Sequence, residues 1–164
     1  NCLTMLAEKL NYEFIDQNNI LKEKYGTIDN FNETYPIDYD RFKVKEEIAL
    51  DAISNKDNFV MAISFIYIEE IVNNITNTET ISVEITDNLE SIYDRILFYD
   101  ENDEIMLDSK EYRDKHKEHY INEIRNDMRA SNLEFRSIPK FNLNGRKFED
   151  VVDELSVFIS NFKK

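Results

Sequence analysis

Apolar residues recur along this chain with two different periods. Leu3, Leu6, Ala7 and Leu10 fall at i, i+3, i+4 and i+7, the spacing of one helical face, which is already in mid-course at residue 1. Tyr12 to Asp16 then reads as a short strand, and Ile20, Leu21, Lys24 and Tyr25 as a helix stopped by Gly26. After a polar connection around Pro36, Tyr39, Phe42, Val44, Glu46 to Ile48, Ala49 and Ala52 predict an amphipathic helix. Asn58 to Ile66 is a continuous apolar run and predicts a strand buried on both faces. Ile68, Ile71, Val72 and Ile75 mark another helix, and the β-branched stretch Thr80 to Thr86 another strand. Asp87 or Asn88 caps a helix carrying Leu89, Ile92, Tyr93 and Ile96. The acidic, turn-like stretch Tyr99 to Asp108 leads into a long charged helix from Ser109 to Ala130. A last strand is expected within Phe135 to Leu143, interrupted by Pro139. Phe148, Val151, Val152, Leu155, Phe158 and Ile159 then form a closing amphipathic helix.

Strands separated by helical stretches of this length predict a three-layer α/β domain with a mainly parallel sheet and helices on both faces. Such folds bind ligands at the carboxyl ends of their strands. Asp16 directly follows the first strand, which makes it the first candidate for chemistry; capping the next helix is its other reading.

At 164 residues the chain suits one domain, 1–164. Its 34 acidic against 20 basic residues leave a net charge of −14, which argues against a general nucleic-acid or anionic-lipid binder. With only two glycines, Gly26 and Gly145, the residues shown hold neither a complete G-x-x-x-x-G-K-[ST] nor a G-x-G-x-x-G loop. The single cysteine, Cys2, predicts a reducing compartment, the cytoplasm, and no apolar run reaches membrane-spanning length. His116, His119 and Glu123 share a helix face at metal-like spacing, though solvation is the commoner fate of such a set. Asp100, Asn102 and Glu104 echo a calcium loop, but Ile105 stands where that loop needs glycine.

Leu6-Ala7-Glu8-Lys9-Leu10, then Phe14-Ile15-Asp16-Gln17-Asn18 and Gly26-Thr27-Ile28, resembles the segment after the phosphate loop in the shikimate kinase family. There the pattern is L-A-x-x-L, F-x-D-x-D and a helix ending G-x-[ST]-I, from which Gly26-Thr27-Ile28 is one residue short. Phe42-Lys43-Val44-Lys45-Glu46 resembles the family's F-R-x-x-E, Leu89 to Arg95 its helix after the fourth strand, and Asn144 to Val152 the turn into its last helix. The motifs fall in the family's order along nearly the whole chain.

The resemblance implies a P-loop-kinase-like fold and transfer of the ATP γ-phosphoryl to an alcohol, with Mg2+ bridging the phosphates and a lid, residues 99–118, closing over them. It implies Asp16 as the magnesium and catalytic carboxylate, and Arg95 and Arg146 as flanks of the adenine. Asn18, Lys43 and His116 stand at substrate positions where the family has an aspartate and two arginines. Neither Lys43 nor His116 reproduces a guanidinium's two-pronged grip on a carboxylate, so the expected acceptor is a small hydroxylated molecule other than shikimate. Val60 to Ile66 replaces the family's glycine triplet, and Asp100 to Glu104 a basic lid. Arg113 and Lys117, with Lys115, would touch phosphate during closure, or form a solvated stripe balancing Glu111 and Glu118. Arg95 is open in the same way to an ion pair with Glu90 or Asp94. In the family, the central strand and phosphate loop precede L-A-x-x-L, so an upstream segment is expected here. Two further readings are a degenerate kinase fold acting as a nucleotide-binding or regulatory module, and an acidic interaction protein. A complete upstream phosphate loop disfavours the first, and nucleotide affinity the second.

Overall fold

The computed structural model of the protein describes residues 2–63, 79–100, 102, 104–106, 110–134, 136 and 138–162. These fall into two compact units, Asn1–Ser82 with Lys147–Lys164, and Val83–Arg146.

In the first unit, α1 (Cys2–Leu10) turns through Asn11, which takes a left-handed conformation at φ 55°, into β1 (Glu13–Asp16). Helix α2 (Gln17–Tyr25) follows without a linker and ends at Gly26, whose φ of 88° suits glycine and whose N–H reaches the Lys22 carbonyl at 2.8 Å. The polar connection expected around Pro36 holds a helix of its own, α3 (Ile28–Thr34). Thr27 caps it by accepting from the Asn30 amide. Its one buried residue is Phe31, against which Tyr25 and Tyr35 pack at 5.2 and 5.6 Å. Two apolar residues in seven, Ile28 and Phe31, leave too short a pattern to read as a helix.

Helix α4 (Asp38–Asn55) buries Phe42, Glu46, Ala49 and Ala52, one face at i, i+4, i+7 and i+10. It returns the chain to β2 (Phe59–Ala62), which pairs parallel with β1 from Glu13 opposite Phe59 to Asp16 opposite Ala62. A helical crossover between parallel neighbours is the βαβ geometry that the helix and strand spacing predicts. Every residue of β2 is half-buried, contrary to the two-sided burial expected of so apolar a run. Among the described residues β2 has one partner strand, β1. The remainder of that run, and the helix expected around Ile68 to Ile75, lie outside the described residues. The unit closes with a 3₁₀ turn (Phe148–Asp150) and α7 (Val152–Ser160). Helix α7 packs on α1 and is tied to it by a 2.6 Å ion pair from Lys9 to Asp153. Leu6, Ala7, Ile15, Leu21, Phe148, Val151 and Leu155 are all buried.

In the second unit, β3 (Glu84–Thr86) pairs parallel with β4 (Lys140–Asn142). Both are shorter than the stretches Thr80 to Thr86 and Phe135 to Leu143 suggest. Pro139 explains the limit: it has no N–H to donate, and only its carbonyl joins the ladder, accepting from the Glu84 amide at 2.9 Å. Helix α5 (Leu89–Arg95) follows β3. Helix α6 (Lys110–Glu134) runs past the expected end at Ala130 by one further turn. Tyr93, Phe98, Ile124, Ile138, Phe141 and Leu143 are buried in this unit. Among the described residues no helix is long and apolar enough to cross a membrane.

Candidate active site

Asp16 is both the last residue of β1 and the N-cap of α2. Its backbone is extended, and its Oδ1 accepts from the Asn18 amide at 3.0 Å, so the capping reading and the strand-end placement hold together. Asp16 and Asn18 are brought into one turn, with the small side chain of Ala62 in register beside Asp16. Gln17, next in sequence, is fully buried, and its Nε2 donates to the Lys45 carbonyl of α4 at 2.8 Å. That bond sets the turn bearing Asp16 against the turn of α4 that bears Lys43.

Lys43 is committed by charge. Its ammonium lies 2.8 Å from Oε2 of the buried Glu46, with the rings of Phe42 and Tyr39 at 5.1 and 5.4 Å. The hydrogen bond to Glu46 raises the Lys43 pKa. A cavity of about 280 Å³ opens between β1, α2 and α4, with Ile15, Val44, Ile48 and Ala52 among its walls and Lys24 and Lys56 at its rim. None of the candidate residues lines it.

In the second unit Arg95 and Arg146 meet. Arg95 Nη2 donates to the Arg146 carbonyl at 2.7 Å, and Arg146 folds back on the Leu143 carbonyl through its Nε at 3.0 Å. The ion pair of Arg95 is with Asp87, not with Glu90 or Asp94. Reading the chain as a string takes Asp87 only as a possible cap of α5 and not as a site residue. Its side chain is 3% exposed, and its Oδ1 accepts from the backbone amides of Gly145 at 2.7 Å and Asn88 at 2.8 Å while Oδ2 takes Arg95 Nη1. The cap of α5 falls to Asn88, whose Oδ1 accepts from the Ser91 amide at 2.9 Å. Asp87 directly follows β3 as Asp16 ends β1, and that shared position at a strand's carboxyl end is the signal that marks it. Gly145 carries the turn at φ 75°, and a Cβ there would come within 3.3 Å of Asn88 Nδ2.

Burial pushes the Asp87 carboxyl up, but the Gly145 amide, the Arg95 guanidinium and the Asn88 amide more than offset this and hold its pKa below the ordinary 3.8. The folded-state pKa is depressed, so the group adds stability that is fully present above the unfolded pKa and is lost as pH falls through the folded one. Arg95 is the charged group facing Asp87. Chemical denaturation followed between about pH 6 and about pH 2 is therefore expected to show an acid-side loss of stability, beginning below about pH 4, that is smaller in Asp87→Asn.

The expected lid divides into two parts. Asp100 closes its own turn, its Oδ1 accepting from the amides of Asn102 at 2.8 Å and Glu104 at 3.0 Å, below a bridge between Tyr99 and Ile105. Those two amides, that of Glu104 foremost, hold the Asp100 carboxyl below its usual range. Glu101 and Asp103 lie outside the described residues. Residues 110–118 belong to α6. Arg113 donates to the Ile96 and Tyr93 carbonyls, both at 2.7 Å, at the end of α5, and the Tyr93 hydroxyl answers with a 2.7 Å bond to the Arg113 carbonyl. The Lys117 ammonium lies over the Tyr93 ring at 5.7 Å. His116 stacks on Tyr112 at 4.4 Å, and the Tyr112 and Tyr120 hydroxyls meet at 3.1 Å, which with burial pushes the Tyr120 pKa up to about 12. His119 pairs with Glu123 at 3.2 Å. Among the described residues no three His, Cys, Asp or Glu side chains gather as a metal cage. A single carboxylate at a strand end, such as Asp16, fits the way magnesium is usually held, by one or two carboxylates, water and phosphate.

A shikimate kinase family model matches residues 4–155. No curated protein sequence matches the chain. Among solved structures it is similar to the shikimate kinase of Aquifex aeolicus vf5, at 22% identity and a TM-score of 0.65, over 98% of this chain and 90% of that one. That likeness carries the fold, a P-loop-kinase-like α/β architecture. A family match running through almost the whole chain places the protein among kinase-like phosphotransferases: it belongs to the shikimate kinase family.

Proposed function

We propose that the protein moves the γ-phosphoryl group of ATP to a hydroxyl of a small molecule other than shikimate, as one domain over residues 1–164 with 99–118 as its lid, in the cytoplasm. The observation that carries this is Asp16, a half-buried carboxylate held at the end of β1 by the Asn18 amide, with Asn18 in the same turn. Asp16 would hold Mg2+ through water and orient the acceptor hydroxyl, and Asn18 would donate to the acceptor. Magnesium, when bound, would neutralise phosphate charge. Arg95 and Arg146 flank the adenine. Of Arg113 and Lys117 in the lid, Lys117 is the one to reach phosphate, since Arg113 is bound to two backbone carbonyls. Gly26 ends α2 and Gly145 carries a turn, so the phosphates call for a loop supplied from outside these residues.

The acceptor argument rests on Lys43 and His116. The first is neutralised by Glu46 and the second is stacked on Tyr112, and neither offers the paired parallel donors that a ring carboxylate needs. Asp100 favours a second reading, a nucleotide-responsive module without catalysis, because its carboxylate, held by the Asn102 and Glu104 amides, sets a negative charge in the lid.

Titration of the full-length protein with ATP and magnesium, followed by ADP release across a panel of alcohols, tests both. Binding with turnover on an alcohol other than shikimate is the expected result. Binding without turnover favours the second reading, turnover on shikimate overturns the acceptor argument, and silence to Mg-ATP overturns the nucleotide site.

A further inference from the structure

Asp87 is a buried carboxylate engaged by three donors, and nothing in phosphoryl transfer itself requires it. It sits where β3 ends and receives a donor from each of three places: the start of α5 through the Asn88 amide, the turn after β4 through the Gly145 amide, and the last residue of α5 through the Arg95 guanidinium. The guanidinium is thereby fixed on one side by a carboxylate that cannot move, while its Nη2 fixes the Arg146 carbonyl at 2.7 Å on the other. The Arg146 amide donates to the Leu143 carbonyl at 3.1 Å and its Nε to the same oxygen at 3.0 Å, so the turn is closed on itself. The Arg95 side chain is 40% exposed and that of Asp87 is 3% exposed: the planar group reaches solvent while its anchor does not.

We infer that Asp87 is a positioning residue for the nucleobase, holding the Arg95 plane and the Arg146 turn as a rigid platform, so that affinity for a nucleotide depends on it and affinity for bare phosphate does not. The inference rests on the adenine role proposed above for the two arginines. Pairing with Asp87 also offsets the Arg95 charge locally, which ill suits a group that grips phosphate and still leaves a planar guanidinium able to stack on a base. A flexible platform would lose affinity by having to order itself on binding, and a prefixed one does not.

The experiment uses the full-length protein and two probes, ATP and inorganic tripolyphosphate, each with magnesium, titrated calorimetrically. Asp87→Asn keeps the side-chain shape and one acceptor oxygen but removes the charge that orients Arg95. It is expected to raise the Kd for Mg-ATP about tenfold, the scale of one charge-assisted hydrogen bond, and to move that for magnesium tripolyphosphate by less than about twofold. Arg95→Lys leaves the Asp87 amide bonds in place and removes the guanidinium's second bond, to Arg146. The same base-selective loss is expected from it, and it serves if Asp87→Asn does not fold. Equal weakening of both probes would show a merely structural carboxylate, and unchanged ATP affinity in a folded variant would show no role, and either overturns the inference. A wild-type protein that binds tripolyphosphate and ATP equally, or neither, overturns the adenine reading beneath it, an outcome visible before any variant is made.

Discussion

Asp16→Asn lowers phosphoryl transfer by on the order of 10²–10⁴-fold and leaves the melting temperature where it was. The two halves of that expectation separate the cap that Asp16 forms in the structure from the magnesium role proposed for it. As an N-cap it needs only an oxygen that accepts from the Asn18 amide, now 3.0 Å away, and asparagine caps helices as well as aspartate does. As a partner for magnesium and the acceptor hydroxyl it needs a negative charge, which asparagine lacks. Asp16→Ala removes both, and costs about 1 kcal/mol of stability in addition to the lost rate. ADP release with the best alcohol from the acceptor panel gives the rate, and thermal unfolding gives the stability. Equal rates in the wild-type protein and an equally stable Asp16→Asn variant would reduce Asp16 to a cap.

Phe42→Ala costs the fold about 3–5 kcal/mol, the range for deleting a buried aromatic ring. Phe42 is 0% exposed and forms a cluster with Ala49, against which Leu50, Ile53, Met61 and Ile63 pack, so the lost ring leaves a cavity between α4 and β2. Against a typical total stability of about 5–15 kcal/mol this is a large fraction, and urea denaturation should show it as a shifted midpoint. The change also reaches the site. Phe42 precedes Lys43, whose ammonium lies 5.1 Å from its ring, and shares a face of α4 with Glu46. A raised KM for the acceptor alcohol at temperatures where the variant remains folded is the expected consequence. A loss below about 1 kcal/mol would mean that the surrounding side chains collapse into the space.

How much could be read beforehand depended on whether a signal was local. Gly26 as the stop of α2 follows from one residue's backbone freedom, and it is observed. The face of α4 follows from spacing alone. The capping of α5 was open between two neighbours because Asp and Asn cap equally well. Tertiary contact decided it, since the Gly145 amide, 58 positions along, claims Asp87 and leaves the cap to Asn88. Helix α3 escaped because its single buried anchor is held by Tyr25 and Tyr35, on the segments to either side of it.

The candidate residues divide along the same line. Asp16 with Asn18, and Lys43 with Glu46, are neighbours by helix and turn geometry, and their pairing needs nothing beyond two and three residues of separation. Arg95 with Arg146 is a contact across 51 positions, and the pinning of Arg113 on the α5 carbonyls one across 17 and 20. Residue type and period, which are properties of the string, determined the helices other than α3, the parallel α/β class and the family. The partners of Arg95 and Arg113 were decided only when the chain closed on itself, because burial and hydrogen-bond geometry depend on what long-range packing brings within about 3 Å.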